Sequence, residues 1–323
     1  MDQAAHSGQR LVGSLLPAAV SVYEVGPRDG LQNELRTLAT ADKVRLIDAL
    51  VASGLKRIEA TSFVPPKWIP QLADAEAVLE RVKRPPGVVF SALVPNLKGF
   101  ERARAAGLQE AAVFLSVTES HSKKNLNKTV AEAVVTVGQV ASAAANAGMR
   151  VRCYLSTVWG CPYEGVVTVD QVVAVCRQLQ GLGVYQLSLG DTIGVGTPKQ
   201  TEQIVAAVGQ IFPIEQLALH LHDTRGTALA NALVGLQMGI TTLDSSTGGL
   251  GGCPYAPGAA GNLATEDLVY LLHGLGIHTG VSLPRLVEAG QLAQDLIGRK
   301  LSGKYLQAAL GEREKAASHS GPG

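Results

Sequence analysis

The strongest constraint on the fold is an alternation of short apolar or β-branched runs with longer segments of helical periodicity. Eight such units occupy about 255 of the 323 residues, and many helical segments begin at Thr or Ser and end at Gly. Eight strand–helix repeats predict an α/β fold, the parallel (β/α)8 TIM barrel, rather than a doubly wound sheet. The expected strands are 20–25, 57–61, 88–93, 111–117, 150–156, 185–189, 217–222 and 240–244. The expected helices are 40–53, 70–82, 97–106, 129–147, 168–182, 197–211, 226–238 and 265–275.

The chain is expected to form a single domain, because no low-complexity linker divides it. Residues 20–311 are assigned to the barrel together with one or two additional C-terminal helices within 284–310. Residues 1–19 are expected to be a disordered leader, and the polar residues 312–323 a disordered tail. The apolar character of the C-terminal helical segment also favours a homodimer.

Charge and hydropathy exclude several classes of partner. The chain has 28 basic and 27 acidic residues, a net charge of +1, so no nucleic-acid partner is expected. No apolar stretch is long enough for a membrane span. The four cysteines lack zinc-site spacing and are too few for a disulfide scaffold, which indicates a reducing compartment. With a leader that contains one Arg and no signal-peptide core, a cytoplasmic location is favoured over the mitochondrial matrix.

Two histidines near the end of the seventh expected strand indicate a metal site. His220 and His222 project to the same face, because residues i and i+2 of a strand do so, and two imidazoles there form half of a divalent-metal site. Two ordinary buried histidines are the alternative. Asp29 and Asn262 also follow strands or loops at this end, and the combined set of oxygen and nitrogen ligands without thiolate favours Mg²⁺ or Mn²⁺ over a closed Zn²⁺ site.

Further polar residues fall at the ends of other strands, where a TIM barrel places its chemistry. Arg28 and Asp29 follow the first strand, where a solvated loop ion pair is the alternative interpretation. Glu59 lies inside an apolar run, so its carboxylate requires a buried partner, for which Arg28 is the candidate. Glycine occupies four of the five positions 248–252, which predicts a mobile lid that carries Cys253.

Several motifs together resemble the 3-hydroxy-3-methylglutaryl-CoA lyases, members of a metal-dependent lyase and synthase superfamily built on a TIM barrel. The resemblance covers about residues 20–298, and its most specific part is the cysteine loop. The segments that carry it are Glu24-Val-Gly-Pro-Arg-Asp-Gly-Leu-Gln-Asn-Glu34, Ser188-Leu-Gly-Asp-Thr-Ile-Gly-Val-Gly-Thr197, Gly249-Leu-Gly-Gly-Cys-Pro-Tyr-Ala256 and Gly261-Asn-Leu-Ala-Thr-Glu-Asp267.

The resemblance implies roles for individual residues. The implied metal ligands are Asp29, His220, His222 and Asn262. The implied catalytic residues are Arg28, which stabilises the enolate carbonyl, Cys253 on the lid, Glu59, which orients Arg28, and Asp191 and His220. The implied substrate-binding residues are Arg28, Gln32, Ser188, Thr192, Asn125 and Glu266. Gln32 is also expected to hold a metal-bound water.

The implied reaction is a retro-Claisen cleavage of 3-hydroxy-3-methylglutaryl-CoA to acetyl-CoA and acetoacetate, with a divalent metal and no nucleotide cofactor beyond the substrate's CoA. His220 or Asp191 relays the hydroxyl proton, and the sequence leaves that choice open. Three alternatives remain: another 3-hydroxyacyl-CoA substrate, a Claisen condensation synthase of the same superfamily, and a catalytically silent metal-binding protein. The pathway, leucine degradation or ketone-body formation, is also open.

Overall fold

Eight parallel strands close into a barrel, as the sequence predicts. The computed structural model describes residues 16–251 and 261–319. The barrel strands are β1 Ser21–Glu24, β2 Arg57–Ser62, β3 Val89–Leu93, β4 Glu110–Ser116, β5 Arg150–Ser156, β8 Gln186–Asp191, β9 Leu217–Leu221 and β10 Thr242–Ser245. Their order around the barrel is β1-β10-β9-β8-β5-β4-β3-β2, so each strand pairs with its neighbours in sequence and β10 closes onto β1.

Helices surround the barrel, and most lie within a few residues of their expected positions. They are α1 Thr40–Ala52, α2 Ala75–Arg81, α3 Leu97–Ala105, α4 Glu119–Leu126, α5 Val130–Asn146, α6 Val169–Leu179, α7 Pro198–Val208, α8 Ala228–Gln237, α9 Thr265–Gly274, α10 Leu283–Ile297 and α11 Lys304–His319. The sequence analysis missed α4 and a short hairpin, β6 Gly160–Cys161 with β7 Gly165–Val166. Helix α4 is polar and lacks the apolar periodicity by which the other helices were recognised. No helix in the described ranges is long and apolar enough to cross a membrane.

The barrel interior is polar, whereas aliphatic residues usually fill the interior of this fold. Arg152 and Tyr154 lie on one face of β5, and the Arg152 guanidinium donates to Asp244 across the barrel at 2.5 Å. The Tyr23 hydroxyl similarly donates to Glu110 at 2.7 Å. The alternate residues of β5 are apolar and buried: Val151, Cys153 and Leu155. The strands therefore present apolar side chains to the helices and enclose a connected polar network.

The C-terminal segment packs on the barrel. Helix α11 continues to His319, past Glu312, where disorder was expected. The Asp267 carboxylate fixes the start of α11 by accepting hydrogen bonds from the amides of Lys304 and Tyr305, at 3.1 and 2.6 Å. The apolar residues that favoured a homodimer are buried within the chain: Leu286, Val287, Ala293 and Leu306.

The N-terminal boundary also differs from expectation. Ala18 and Ala19 were assigned to a disordered leader, but Ala18 accepts a hydrogen bond from His278 and Ala19 forms a β-bridge with it. Backbone pairing, which the side-chain pattern does not show, therefore extends the ordered domain to these residues. Residues 1–15 of the expected leader and 320–323 of the expected tail lie outside the described residues.

Candidate active site

A cavity of about 410 Å³ opens at the carboxyl ends of the barrel strands. Its polar lining includes Arg28, Asp29, Gln32, His220 and His222, and its apolar wall is formed by Val64, Leu93 and Phe114. This is the end of the barrel where the sequence places the candidate residues, so the loops after the strands assemble them at one site.

A single π-helical turn, Gly26–Gly30, presents Arg28 and Asp29 to the cavity. The amides of Arg28, Asp29 and Gly30 all point to the carbonyl oxygen of Val25, at 3.1, 2.7 and 3.3 Å. A Cβ atom at Gly26 would lie 2.6 Å from Glu24 Oε1, so any larger residue would have to displace this buried side chain. Such turns commonly occur at functional sites.

Arg28 is held by two acids. Its Nη1 donates to Asp29 at 2.5 Å and its Nη2 pairs with Glu59 at 2.9 Å, which confirms the pairing expected for Glu59. Tyr154 completes the support, because its hydroxyl donates to Glu59 at 2.7 Å and the guanidinium lies over its ring at 5.3 Å. Burial would lower the pKa of Arg28, but Glu59 and Asp29 raise it, so the guanidinium stays charged. Arg28 Nε is buried and has no acceptor among the described residues, which leaves a donor beside the cavity.

Asp29, His220 and His222 form a candidate metal site. One ligand atom from each lies within 4.8 Å of the others. Burial would raise the pKa of the Asp29 carboxyl, but Arg28 and the histidines lower it to about 2, so the carboxylate is ionised at neutral pH. Burial lowers the pKa of His222 to about 4, so this imidazole is neutral and able to bind a cation. Its Nδ1 is buried without a partner in the described chain. The residues therefore fit a divalent cation.

The orientation of His220 is set by the barrel interior. The register between β10 and β9 places Asp244 opposite His220, and the Asp244 carboxylate lies 3.2 Å from His220 Nδ1. This contact directs His220 Nε2 toward Asp29, with Nε2 and Oδ2 3.7 Å apart. Asp244 is itself paired with Arg152, which keeps the carboxylate ionised by lowering its pKa against the effect of burial. Carboxylates that orient metal-binding histidines in this way are common.

Asn262 reaches the site although it follows His222 by forty residues and Asp29 by 233. It forms an isolated antiparallel bridge with His222, which extends the end of β9. Its Nδ2 donates to Asp29 at 2.8 Å and to the Leu250 carbonyl oxygen at 3.0 Å. Both donors of the amide are thus engaged, so Oδ1 remains available as a ligand.

Three further expected substrate-binding residues line the cavity: Gln32, Asn125 and Thr192. Gln32 donates to Asp29 at 2.8 Å, close to the candidate metal site. Asn125 lies on α4, the polar helix that the sequence analysis missed. The structure therefore brings these three residues together with Arg28 and the candidate ligands.

Asp191, expected to be catalytic, and Ser188 and Glu266, expected to bind substrate, are buried and do not line the cavity. Ser188 donates to Asp244 at 2.8 Å inside the barrel. Asp191 accepts from the amides of Val195 and Gly196 at 3.0 and 2.8 Å, and so holds the loop after β8. Glu266 accepts hydrogen bonds in the turn after β10 and has no exposed surface. In each case the polar group is hydrogen-bonded to nearby backbone or side-chain groups: Ser188 to an acceptor, and Asp191 and Glu266 to donors.

The sequence analysis missed Tyr154, Asp244 and Arg152, which connect the metal site with Arg28 through the barrel interior. It also missed His121, which lines the cavity from α4. Burial lowers the pKa of His121 to about 4, so its imidazole is neutral. The alternation of Arg152 and Tyr154 with apolar residues in β5 could have indicated the network. Cys253 lies outside the described residues.

Two buried acids give the fold a pH-dependent stability. Burial raises the pKa of Glu24 to about 7 and that of Glu266 to about 8, from 4.5. The folded state then binds more protons than the unfolded chain, so the free energy of unfolding falls as the pH rises from about 5 to about 8. Replacing both residues by glutamine should flatten this part of the curve in equilibrium denaturation. If the free energy of unfolding depended on pH equally in parent and variant, the raised pKa values of Glu24 and Glu266 would be contradicted.

Comparisons with known proteins show the family to which the chain belongs. The family model described as HMGL-like matches residues 19–293. A mouse protein named mitochondrial hydroxymethylglutaryl-CoA lyase is 53% identical over 293 residues, 91% of this chain and 90% of its own length. A Bacillus subtilis hydroxymethylglutaryl-CoA lyase is 50% identical over 291 residues, 90% of this chain and 97% of its own. The crystal structure of the Pseudomonas aeruginosa hydroxymethylglutaryl-CoA lyase superposes with a TM-score of 0.90 at 49% identity, covering 92% of this chain and 99% of that one.

Proposed function

Because the chain belongs to the HMGL-like family, we propose that it is a hydroxymethylglutaryl-CoA lyase, which cleaves 3-hydroxy-3-methylglutaryl-CoA into acetyl-CoA and acetoacetate. The observation that carries this proposal is the adjacency, in one cavity, of a buried arginine and a cluster of oxygen and nitrogen ligands. A retro-Claisen cleavage requires both groups. The substrate must be held at its hydroxyl, while negative charge develops on its thioester oxygen.

Asp29, His220, His222 and Asn262 would hold the divalent cation, which we propose is Mg²⁺ or Mn²⁺. When bound, the cation supplies Lewis-acid polarisation of the hydroxyl and carboxylate oxygens of the substrate. The ligand set has no thiolate, which favours these ions over softer metals. Gln32 lies next to Asp29 and is suited to hold a water molecule or a substrate oxygen there.

Arg28 would stabilise the enolate. As the C2–C3 bond breaks, its electron pair moves to C2 and the thioester oxygen, and the hydroxyl carbon becomes the ketone of acetoacetate. Glu59 and Tyr154 hold the guanidinium in place before this charge develops. A donor fixed in advance stabilises the transition state without reorganisation.

Two proton transfers complete the reaction. The hydroxyl loses a proton before cleavage, and C2 of the enolate gains one to form acetyl-CoA. Of the two residues considered for the hydroxyl proton, His220 lines the cavity, whereas Asp191 is occupied by backbone amides. That Cys253 protonates the enolate stays a prediction.

Product analysis tests the proposal. Purified protein with Mn²⁺ should convert 3-hydroxy-3-methylglutaryl-CoA into equal amounts of acetyl-CoA and acetoacetate, measured by mass spectrometry. Longer 3-hydroxyacyl thioesters in parallel reactions test the choice of acyl group, because pocket selectivity for a few methylenes is about 1–3 kcal/mol. Cleavage of only the longer thioesters would contradict the proposed substrate, and no cleavage of any would contradict the reaction.

The cytoplasmic location and the homodimer stay predictions. Since the C-terminal apolar residues pack within the chain, a dimer would need a different surface. Light scattering of the purified protein measures the assembly directly, and a monomer mass would contradict the expectation.

A further inference from the structure

The short turn after β10 shapes the metal site. It is a single 3₁₀ turn, Thr247–Gly249, followed by Leu250 and Gly251. The Leu250 carbonyl oxygen accepts from Asn262 Nδ2 at 3.0 Å. A Cβ atom at Gly251 would lie only 2.5 Å from the same nitrogen, so the backbone packs closely against the Asn262 amide. The position of this turn therefore determines how Asn262 faces the candidate cation.

Two fully buried glutamate side chains, Glu24 and Glu266, hold the turn from either side. Glu24 Oε1 accepts from the Thr247 amide at 2.9 Å and from the Gly26 amide at 2.8 Å. Glu266 accepts from the Thr247 hydroxyl at 3.0 Å and from the Gly248 amide at 2.7 Å. Glu24 thus joins the turn after β10 to the π-helical turn that carries Arg28 and Asp29.

These acids have no cationic partner. Among the described residues no lysine or arginine forms an ion pair with Glu24 or Glu266, and both have 0% exposure. Burying a carboxyl group without a counter-charge is costly in its ionised form, and Glu24 contributes to the raised pKa of Glu266. An apolar pair would avoid this cost but could not accept hydrogen bonds from the turn. Glu24 also accepts a hydrogen bond from the Thr265 hydroxyl at 2.6 Å, and neither glutamate lines the cavity.

We propose that Glu24 and Glu266 are positioning residues of the metal site, which fix the turn 247–251 so that Asn262 presents its side-chain oxygen to the cation. The inference rests on the proposed function only in taking the site to bind a divalent metal. It assigns Glu266 a role through Leu250 and Asn262 in place of the expected substrate contact. Glu24 joins the turn that carries Asp29 to the turn whose Leu250 carbonyl oxygen accepts from Asn262.

Manganese binding tests the proposal without any thioester. Mn²⁺ dissociation constants of the full chain are measured by electron paramagnetic resonance for the parent, Glu266→Ala and Glu266→Gln. Glu266→Ala should raise the constant by about tenfold or more, as losses beside the first ligand shell do. Glu266→Gln should stay within about threefold, because its oxygen can accept from Gly248 while its amide donates to the Thr247 hydroxyl.

The control is Asp267→Ala, on the neighbouring residue of α9. Asp267 is also buried and fixes the start of α11, so its loss should lower the melting temperature and leave the Mn²⁺ constant unchanged. If Glu266→Ala does not fold, Thr247→Val replaces it as the test variant, because valine keeps the side-chain volume and removes the hydroxyl. This variant should also raise the Mn²⁺ dissociation constant. Parental Mn²⁺ affinity in the folded Glu266→Ala or Thr247→Val protein would overturn the proposal. An equal rise in Asp267→Ala would also overturn it by showing general loosening.

The result is independent of the reaction. If the protein fails to cleave 3-hydroxy-3-methylglutaryl-CoA but the Mn²⁺ constants follow the expected order, the proposed function fails and the positioning role stands. If cleavage occurs and Glu266→Ala lowers kcat with parental Mn²⁺ affinity, the proposed function stands and Glu266 acts in another way.

Discussion

Arg28→Gln lowers kcat by about 10³ and leaves Mn²⁺ binding in place. Glutamine removes the charge and the paired donors, so the thioester oxygen loses the group that stabilises it as the C2–C3 bond breaks. Its loss does not remove a metal ligand, because Arg28 pairs with Asp29 but is not itself a member of the ligand cluster. The measurements are steady-state cleavage and Mn²⁺ titration on the same preparations.

The matched control is Arg57→Gln. Arg57 pairs with Glu110 at 3.1 Å and does not line the cavity, so this change should lower stability and leave kcat within about twofold. Arg28→Lys should fall between parent and glutamine, because lysine keeps the charge without the planar donor pair. A near-parental kcat in Arg28→Gln would exclude the enolate-stabilising role.

The second large effect is expected for His222→Ala. Removing one of two imidazoles from the cluster with Asp29 should weaken Mn²⁺ binding by more than about 100-fold and abolish cleavage at ordinary metal concentrations. Some cleavage should return at high Mn²⁺, because Arg28 and the remaining ligands are intact. Isothermal titration and the cleavage assay at graded Mn²⁺ give both quantities.

His121→Asn separates this effect from a general change in the cavity. His121 is also a buried, neutral histidine that lines the cavity, but it lies outside the ligand cluster and contacts Ser116 through Nδ1 at 2.6 Å. Mn²⁺ affinity should therefore match the parent. If His121→Asn and His222→Ala weakened Mn²⁺ binding equally, the assigned ligand set would be incorrect.

The barrel could be predicted from sequence because its signals are local. The alternating strand and helix patterns can be recognised from residues that are close in sequence, as can the glycines at helix ends such as Gly54 and Gly148. The ligand residues could also be identified from the sequence. A residue at the end of a barrel strand lies near the cavity, whatever contacts its side chain makes. The same reasoning found the partner of Glu59, since a carboxylate in an apolar strand must be paired.

The direction of a side chain could not be predicted from the sequence in the same way. Asp191 stands at the end of its strand, as a catalytic acid would, but the amides of Val195 and Gly196 need an acceptor and take its carboxylate. Glu266 and Ser188 are similar, each turned toward a donor or acceptor that is distant in sequence. A motif shows that a residue lies near a site. Whether its side chain contacts the substrate depends on which partners, distant in sequence, compete for its polar group.

The polar elements were the other omission. Helix α4 has no apolar stripe, because its exposed and cavity-facing sides are both polar, yet it brings His121 and Asn125 to the site. Tyr154 and Asp244 lie in strands that were located correctly, but their partners are Glu59 and His220 on other strands. Such pairings depend on the strand register around the barrel, which the sequence pattern does not specify.

The most direct test of the account measures cleavage against bound metal. Metal is removed from the protein with EDTA, the chelator is dialysed away, and Mn²⁺ is restored in steps while bound ion and acetyl-CoA release are recorded. The rate should rise in proportion to bound Mn²⁺ and level off at about one ion per chain. Full turnover by metal-free protein would contradict the central claim that Asp29, His220, His222 and Asn262 form the site at which the substrate is held and cleaved.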